Sequence, residues 1–420
     1  MPRRSRLLAL AQGIDPERSS LYAARFVSAL PRGTNGHGLA TLLASAYPAL
    51  APVLEATPDI ARRLAAEGYL TERDRPVLRT RLGARVGDLS EPERVKRELR
   101  RASRDERVRI ALRELLPPAL GGADVDVTAR ELSALADVTI EIALNEAVFA
   151  ISQRFGPPRS SSGAPARFVV LGMGKLGGEE LNAGSDIDLI YFYDTDDGAA
   201  QRPGAEAITL HDFWSRVSKR LTATLEEVTA DGFVWRVDLR LRPEGRGGPV
   251  VNSLAAAERY YESFGRLWER VALLRARPSA GDLAFGDEVL ALLSPFIWRR
   301  RVDPRVAGEM IQLAHRARAE LSADPTRDLK LGPGGIREAE FFVQTLQLVW
   351  GGQDPSLRVR GTLPALARLR ANGLVTEREG RAIADAYVLL RSAEHAIQWA
   401  RGTQTHELPA EPAELERLAR

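Results

Sequence analysis

Two aspartates separated by one residue, Asp186 and Asp188, stand at the start of a β-rich run. In a strand, residues i and i+2 point to the same face, so the two carboxylates are expected to project side by side. Adjacent carboxylates repel each other unless a cation lies between them, and hard oxygen ligands with this spacing suit Mg²⁺. Gly184 and Ser185 precede the pair in a tight turn whose N–H groups and hydroxyl can approach a phosphate. The pattern therefore predicts a metal-dependent site for a phosphorylated substrate.

A third carboxylate is expected on a neighbouring strand, and Asp238 is the best candidate. It lies in the run 233–241, where polar and apolar residues alternate as in a half-buried strand. Arg236, Arg240 and Arg242 are predicted to share its face. Their positive charge favours an ionised Asp238, which would complete a two-metal site. Arg240 and Arg242 are predicted to bind phosphate oxygens.

Lysine is rare in this chain, and two of the lysines fall in glycine-rich segments. Lys175 follows Gly-Met-Gly and is expected to neutralise phosphate charge. Lys330, Gly334, Gly335 and Arg337 belong to a second segment, in which Gly-Pro-Gly-Gly opens a helix. That segment is either a second anion-binding loop or a tight turn that docks one domain on another, and the residue types fit both interpretations.

An isolated Asp-x-Asp pair is weak evidence, because most such pairs lie in turns or on solvated faces. The surrounding pattern strengthens it: a buried strand at 168–171, a glycine-rich loop, the pair itself, a β run at 187–193 and a later strand that carries an aspartate. Asp194, Asp196 and Asp197 follow the β run and are more typical of an ordinary polar turn.

The elements that must position these residues predict an α+β protein. Residues 1–164 form a helical N-terminal region, which ends in a loop rich in glycine, proline and serine at 156–165. Residues 165–280 form a catalytic domain with a mixed sheet, in which 205–230 is an amphipathic helix. Residues 281–420 form a C-terminal helical domain. The sequence stops within an apparent helix, which predicts that the native chain continues.

Composition limits the class of protein. The 420 residues carry a formal net charge of +3 and no long basic tract interleaved with aromatics, so no nucleic-acid partner is predicted. The absence of cysteine excludes disulfides and thiolate metal sites. No run reaches the roughly 18 apolar residues that span a bilayer, so neither a membrane segment nor membrane binding is expected, and a cytoplasmic location is.

The glycine-rich run and the aspartate pair together resemble the glutamine synthetase adenylyltransferase/deadenylylase family, within the DNA polymerase β-like nucleotidyltransferase superfamily. The matching residues are Gly-Met-Gly-Lys-Leu-Gly-Gly-Glu-Glu-Leu-Asn at 172–182 and Gly-Ser-Asp-Ile-Asp-Leu at 184–189. The segments 236–243, 260–270 and 328–341 are also similar to family motifs. Two departures, Arg275 for a frequent lysine and Leu267 for a frequent polar residue, leave the carboxylates unaffected.

The resemblance implies a polymerase β-like core flanked by helical regions, with Asp186, Asp188 and Asp238 as catalytic metal ligands for Mg²⁺, or for Mn²⁺. In this family the amino-terminal half removes AMP from a tyrosine of glutamine synthetase by phosphorolysis and releases ADP, whereas the carboxy-terminal half adds AMP from ATP. The aspartate pair follows a helical N-terminal region, and this position in the chain resembles that of the deadenylylating half. The implied partners are glutamine synthetase, the PII signal protein, inorganic phosphate and ADP or ATP.

Three other functions compete with deadenylylation. The same site, with ATP as the donor of AMP, would instead adenylylate glutamine synthetase. A non-catalytic module that senses nucleotide or PII would lack a carboxylate, whereas all three are present. A polymerase or tRNA nucleotidyltransferase shares the superfamily core, but the balanced charge disfavours it.

Overall fold

Among the described residues, eight α-helices precede the first strand. The computed structural model describes residues 4–67, 71–204, 206–301 and 305–419. Local signals set the helix ends; Asp15, for example, accepts a hydrogen bond from the N–H of Arg18 and caps a helix that begins with Pro16. The eight helices are α1 (Arg4–Ile14), α2 (Pro16–Arg25), α3 (Asn35–Ala46), α4 (Ala51–Ala56), α5 (Asp59–Glu67), α6 (Arg75–Val86), α7 (Pro92–Leu115) and α8 (Val125–Phe155).

Two small sheets follow, and the larger one is mixed, as predicted. Its strands are β2 (Phe168–Gly172), β3 (Ile187–Tyr193), β6 (Val237–Asp238), β7 (Asn252–Ser253) and β8 (Arg277–Gly281). β2 pairs antiparallel with both β3 and β8, whereas β6 and β7 pair parallel with the two ends of β3. The smaller sheet contains β1 (Pro158–Ser160), β4 (Gly198–Ala200) and β5 (Ile208–Thr209).

The remaining helices pack around the larger sheet and form the C-terminal region. Within residues 165–280 they are α9 (Gly174–Gly177), α10 (Leu210–Glu226), α11 (Leu254–Ser263) and α12 (Leu267–Leu273). The C-terminal helices are α13 (Leu283–Ile297), α14 (Val306–Leu321), α15 (Ile336–Trp350), α16 (Thr362–Ala371), α17 (Glu377–Arg401) and α18 (Pro412–Ala419). In the described parts of the chain, no helix is both long and apolar enough to cross a bilayer.

The larger sheet is buried on both faces. Successive residues of a strand point to opposite sides, so alternate residues enter different cores. Phe168 and Val170 of β2 join the core formed with the N-terminal helices and α10. Val169 and Leu171 join a second core with α11, α12 and α13. The larger sheet is therefore held between helical layers on both sides.

Three predicted elements differ from the structure. The predicted strand 233–241 contracts to Val237–Asp238, because the chain turns at residues 240–244. The sequence from about residue 255 onwards predicts helices that proline and glycine interrupt at 278–281, but this run forms β8. Proline is tolerated there since β8 lies at the sheet edge. The predicted loop 156–165 contains the short strand β1.

Candidate active site

Two neighbouring strands place two of the predicted carboxylates side by side. β3 and β6 run parallel, and their register sets Asp188 opposite Asp238. Asp186 lies just ahead of β3, with 29% of its side chain exposed. The intervening Ile187 and the following Leu189 are fully buried. Alternation along the run therefore turns both aspartates away from the core that holds these apolar side chains.

The three carboxylates repel one another, and arginines neutralise two of them. Arg236 Nε donates to Asp186 Oδ1 at 2.5 Å, and Arg240 Nε donates to Asp238 Oδ2 at 2.7 Å. Burial, together with the charges of Asp238 and Asp186, raises the pKa of Asp188 to about 6. Burial alone would raise the pKa of Asp238, but hydrogen bonds from Arg240 outweigh it and lower that pKa. The cluster concentrates negative charge that a bound cation would relieve.

The donor set fits a divalent cation in its chemistry. Carboxylate oxygens are the ligands that Mg²⁺ prefers in proteins. Among the described residues, however, no three acidic or histidine side chains are already grouped as a set of metal ligands. Arg236 and Arg240 already donate to Asp186 and Asp238, so a cation at the cluster would share these carboxylates with the two guanidinium groups. Asp186, Asp188 and Asp238 stay the predicted ligands.

The backbone of the first glycine-rich segment packs directly against Asp188. The N–H of Met173 donates to the carbonyl oxygen of Asp188 at 2.9 Å. Gly174 follows with φ of 51°, in the left-handed region. A Cβ added to Gly174 would lie only 2.5 Å from Asp188 Oδ2. Glycine is required here because a side chain would displace the carboxylate.

We expect Gly174→Ala to weaken Mg²⁺ binding by about tenfold, because displacing a ligand or its support lowers metal affinity by roughly 10- to 100-fold. Isothermal titration of the purified chain with Mg²⁺ measures this affinity. Gly163→Ala is the matched control: Gly163 also has a positive φ, of 84°, but no atom within 4 Å of its added Cβ. Equal Mg²⁺ affinities for the two variants would contradict the contact with Asp188.

The Gly184–Ser185 turn lies directly before the first aspartate, as the sequence predicts. The N–H of Ser185 donates to the carbonyl of Asn182 at 3.3 Å. The N–H of Gly184 donates to Gln398 Oε1 at 2.9 Å, and its carbonyl accepts from Arg236 at 2.6 Å. Because protein atoms engage these backbone groups, a phosphate contact from this turn would use the Ser185 hydroxyl.

The lysine of the first glycine-rich segment is paired inside the protein. Lys175 Nζ lies 2.9 and 3.1 Å from the carboxylate oxygens of Glu394 on α17, and 13% of its side chain is exposed. Burial lowers the pKa of Lys175 to about 7, although Glu394 opposes this shift. Burial would raise the pKa of Glu394, but Lys175 and Arg391 hold it well below its usual range. Lys175 thus ties its segment to α17, and its contact with phosphate stays a prediction.

The two predicted phosphate-binding arginines differ in position. Arg240 lies at the carboxylate cluster, and 62% of its side chain is exposed. Arg242 donates instead to the carbonyl oxygens of Leu239 and Pro249, at 2.8 and 3.0 Å. The predicted alternation places Arg242 beside Asp238, but β6 ends at Asp238 and the chain then turns. Of these two arginines, the structure therefore brings only Arg240 into direct contact with the cluster.

The backbone of the second glycine-rich segment is engaged within its own turn. The N–H of Gly334 donates to Glu338 Oε2 at 3.0 Å, and the N–H of Gly335 donates to the carbonyl of Gly332 at 3.0 Å. These N–H groups are not directed at an external anion. Of the two interpretations that the sequence leaves open, this arrangement favours a docking turn.

The side chains of this segment point to different surroundings. Lys330 is close enough to Asp188 for its charge to oppose the rise in the pKa of that carboxyl. Its backbone N–H donates to Asp328 Oδ1 at 2.9 Å, which fixes the turn. The Arg337 guanidinium instead lies over the Phe341 ring, 5.1 Å from its centroid. The segment thus brings Lys330 towards the cluster, whereas Arg337 packs on its own helix.

Sequence patterns do not identify the residues of α17 that contact residues 175–184. Arg391, Glu394, His395 and Gln398 are all buried, and all lie on one side of the helix. Buried polar groups are normally hydrogen-bonded, so such a face must meet polar partners. The detectable signal is polar residues at helical spacing, but a solvated face produces the same pattern.

Two family models match successive parts of the chain. Residues 37–291 match the model described as glutamate-ammonia ligase adenylyltransferase. Residues 307–420 match the model described as GlnD PII-uridylyltransferase. The first match contains all three aspartates of the cluster, and the second contains α17 and the Lys330 turn.

Curated relatives carry the name bifunctional glutamine synthetase adenylyltransferase/adenylyl-removing enzyme. The protein of Burkholderia mallei is 39% identical over 404 residues, which cover 92% of this chain and 42% of the relative. That of Xanthomonas campestris is 40% identical over 362 residues, which cover 86% and 37%. That of Pseudomonas aeruginosa is 40% identical over 364 residues, which cover 85% and 36%. The chain therefore spans about two fifths of the length of these relatives.

Proposed function

The chain belongs to the glutamate-ammonia ligase adenylyltransferase family, and from this premise we propose that it removes AMP from an adenylylated tyrosine of glutamine synthetase by phosphorolysis. The observation that carries the proposal is the register of β3 and β6, which sets Asp188 opposite Asp238 with Asp186 alongside. The choice of phosphorolysis rests on the helical region before the motif, which resembles the deadenylylating half.

The carboxylate cluster is the proposed site of the chemistry. Asp186, Asp188 and Asp238 would hold Mg²⁺, with Mn²⁺ as an alternative. A cation bound there supplies Lewis-acid polarisation of the phosphodiester and charge stabilisation for the leaving oxygen. Such a site needs hard donors that can come close together; the β3–β6 pairing supports this for Asp188 and Asp238, and Asp186 lies just ahead of β3.

The arginines beside the cluster are suited to bind the phosphate oxygens. Arg236 and Arg240 are 43% and 62% exposed at their side chains, so both remain accessible to a substrate. Arginine binds phosphate and carboxylate with the same fork of N–H donors. When Asp186 and Asp238 turn to a cation, each guanidinium can transfer its hydrogen bonds to a phosphate oxygen.

The reaction exchanges one phosphorus–oxygen bond for another. An oxygen of inorganic phosphate attacks the phosphorus of the AMP–tyrosine diester, and the bond from phosphorus to the tyrosine oxygen breaks. The new bond joins the two phosphates, so the products are ADP and tyrosinate, which takes up a proton. In-line transfer of this kind depends mainly on positioning and charge neutralisation.

We expect the chain to release ADP from adenylylated glutamine synthetase when phosphate and Mg²⁺ are both present. The measurement is ADP formed over time, with omission of phosphate as the control. Incorporation of AMP from ATP into unmodified glutamine synthetase, without phosphate-dependent ADP release, would assign the opposite direction. If neither ADP release nor AMP incorporation is observed, the result would favour a module that binds nucleotide but catalyses no reaction.

Partners beyond the substrate follow from the second family match. Residues 307–420 match a PII-uridylyltransferase model, and a PII signal protein is therefore proposed as a ligand of the C-terminal helices. A cytoplasmic location, where glutamine synthetase and ATP are found, belongs to the same proposal.

A further inference from the structure

One face of α17 lies along the whole glycine-rich segment 174–185, which leads to the first aspartate. The contacts recur at helical spacing: residues 387, 391, 394, 395 and 398 of α17 meet residues 175, 180, 182 and 184 of the segment. Arg391 donates to the carbonyl of Glu180 at 2.7 Å. His395 Nε2 lies 2.9 Å from Asn182 Oδ1, and Gln398 accepts from the N–H of Gly184 at 2.9 Å. A single rigid helix thus braces the segment from end to end.

Gly184 is the last point of contact before the carboxylates. Its N–H is held by Gln398, and its carbonyl is held by Arg236, which also binds Asp186. The Gln398 side chain is itself fixed, because its Nε2 donates to the carbonyl of Thr405 at 3.2 Å. Each of the two peptide groups that flank the Gly184 Cα is therefore held by a side chain.

Glycine makes that orientation dependent on those bonds. The φ and ψ angles of glycine vary more freely than those of other residues because glycine lacks Cβ, so hydrogen bonds at its N–H and C=O must supply the restraint. A Cβ at Gly184 would lie 3.0 Å from the carbonyl oxygen of Thr403, just beyond the end of α17, so a side chain there would be tightly crowded. A change in the φ or ψ of Gly184 would move Ser185 and Asp186 together.

We propose that Gln398 is a positioning residue of the nucleotidyl-transfer site, acting through the Gly184 peptide on Ser185 and Asp186. Gln398 does not touch the carboxylates; it fixes the turn that presents them. It comes from a position 214 residues later in the chain, so the C-terminal helical region completes the active site. The catalytic consequence rests on the proposed function, whereas the restraint on the turn does not.

Hydrogen–deuterium exchange and kinetics of the full chain test this inference together. Gln398→Met removes the acceptor for the Gly184 N–H while keeping the side-chain length. We expect faster exchange in the peptide that contains residues 182–186, and a kcat for ADP release lowered about tenfold with KM changed less than about twofold. Gln398→Glu keeps an acceptor for the Gly184 N–H but loses the Nε2 donor to Thr405, so it should restore slow exchange and kcat in part.

Gln347→Met is the matched control. Gln347 is also buried, and its amide donates to the carbonyls of Leu357 and Val359 within the C-terminal region, away from the turn. An equal loss of kcat in this control, or unchanged exchange at 182–186 in Gln398→Met, would overturn the inference. If the methionine variant does not fold, Gln398→Asn replaces it, because its amide is one methylene too short to reach Gly184.

The two readouts separate the inference from the reaction assignment. A wild-type chain that releases no ADP would overturn the proposed function. Faster exchange at 182–186 in Gln398→Met would then still support the restraint, and unchanged exchange would refute it.

Discussion

Replacing both Asp186 and Asp188 by asparagine is expected to lower kcat for ADP release by at least about 10³-fold while leaving the fold intact. Removing a single preorganised charge-stabilising group commonly lowers kcat by roughly 10²- to 10³-fold, and this variant removes two of the three proposed anionic ligands. Asparagine has the shape of aspartate but offers a cation one neutral oxygen. Initial rates of ADP formation at saturating substrate and Mg²⁺ measure the effect.

Stability should change little in the same variant. Asp186 loses its ion pair with Arg236, but that pair is partly exposed, and such pairs contribute about 0–1 kcal/mol. The change at Asp188 removes a buried carboxyl whose pKa is raised by burial and by its acidic neighbours, so part of the repulsion disappears. Urea unfolding should therefore give a free energy within about 1 kcal/mol of the wild type.

A second aspartate pair with the same spacing provides the control. Asp194 and Asp196 follow the opposite end of β3, and Asp196 accepts a hydrogen bond from Ser253 at 2.6 Å. Asp194→Asn with Asp196→Asn should keep kcat within about threefold, because neither residue belongs to the cluster. Retained turnover in the Asp186/Asp188 variant would refute the assignment of the catalytic carboxylates.

Local patterns predict the elements that carry the site. The apolar run at 168–171 and the β run at 187–193 correspond to β2 and β3, and the amphipathic segment 205–230 contains α10. These predictions succeed because the strands and the helix bury faces whose period can be read from the sequence alone. The pairing of Asp188 with Asp238 follows once each aspartate is placed on its own strand.

Long-range contacts limit what the sequence can predict about the site. One extended strand face is suggested by the alternation of Arg236, Asp238, Arg240 and Arg242. A strand of that length needs backbone hydrogen bonds to a partner strand, however, and β3 pairs with only two residues of this run. Glycine-rich composition marks the segment of Lys175 but not its partner, which lies 219 residues later in the chain. No local pattern encodes which helix covers a loop, so the role of α17 becomes visible only in the fold.

The ion pair between Lys175 and Glu394 gives the second large expected effect. We expect Lys175→Met to lower the free energy of unfolding by about 3 kcal/mol, because removing one partner leaves the other as a buried charge. The Glu394 side chain is 1% exposed; without Lys175, Arg391 still lies 3.6 Å away, and the charge of Lys330 also favours the ionised carboxylate. Arg391 partly compensates for the lost positive charge, but it also donates a hydrogen bond to the carbonyl oxygen of Glu180. Urea unfolding at pH 7 measures the change.

Glu394→Gln is the matched variant, and it should be less destabilising than Lys175→Met. Burial already lowers the pKa of Lys175 to about 7, so without its partner this lysine can lose its proton instead of remaining a buried cation. Glu394 does not become neutral in the same way, since nearby cations hold its pKa well below its usual range and keep it ionised. Combining Lys175→Met with Glu394→Gln removes both charges and should recover much of the stability lost in Lys175→Met.

The sign of the pH dependence distinguishes this explanation from a simple packing defect. A lysine whose pKa is lowered on folding binds fewer protons in the folded state, so stability rises as pH increases from about 7 towards the unfolded pKa near 10.4. Removing Glu394 lowers the pKa of Lys175 further, so Glu394→Gln should gain more stability between pH 7 and pH 9 than the wild type. Lys175→Met lacks the titrating amine and should lose this gain. An identical pH dependence in all three proteins would show that Lys175 does not titrate on folding and that the destabilisation comes from packing alone.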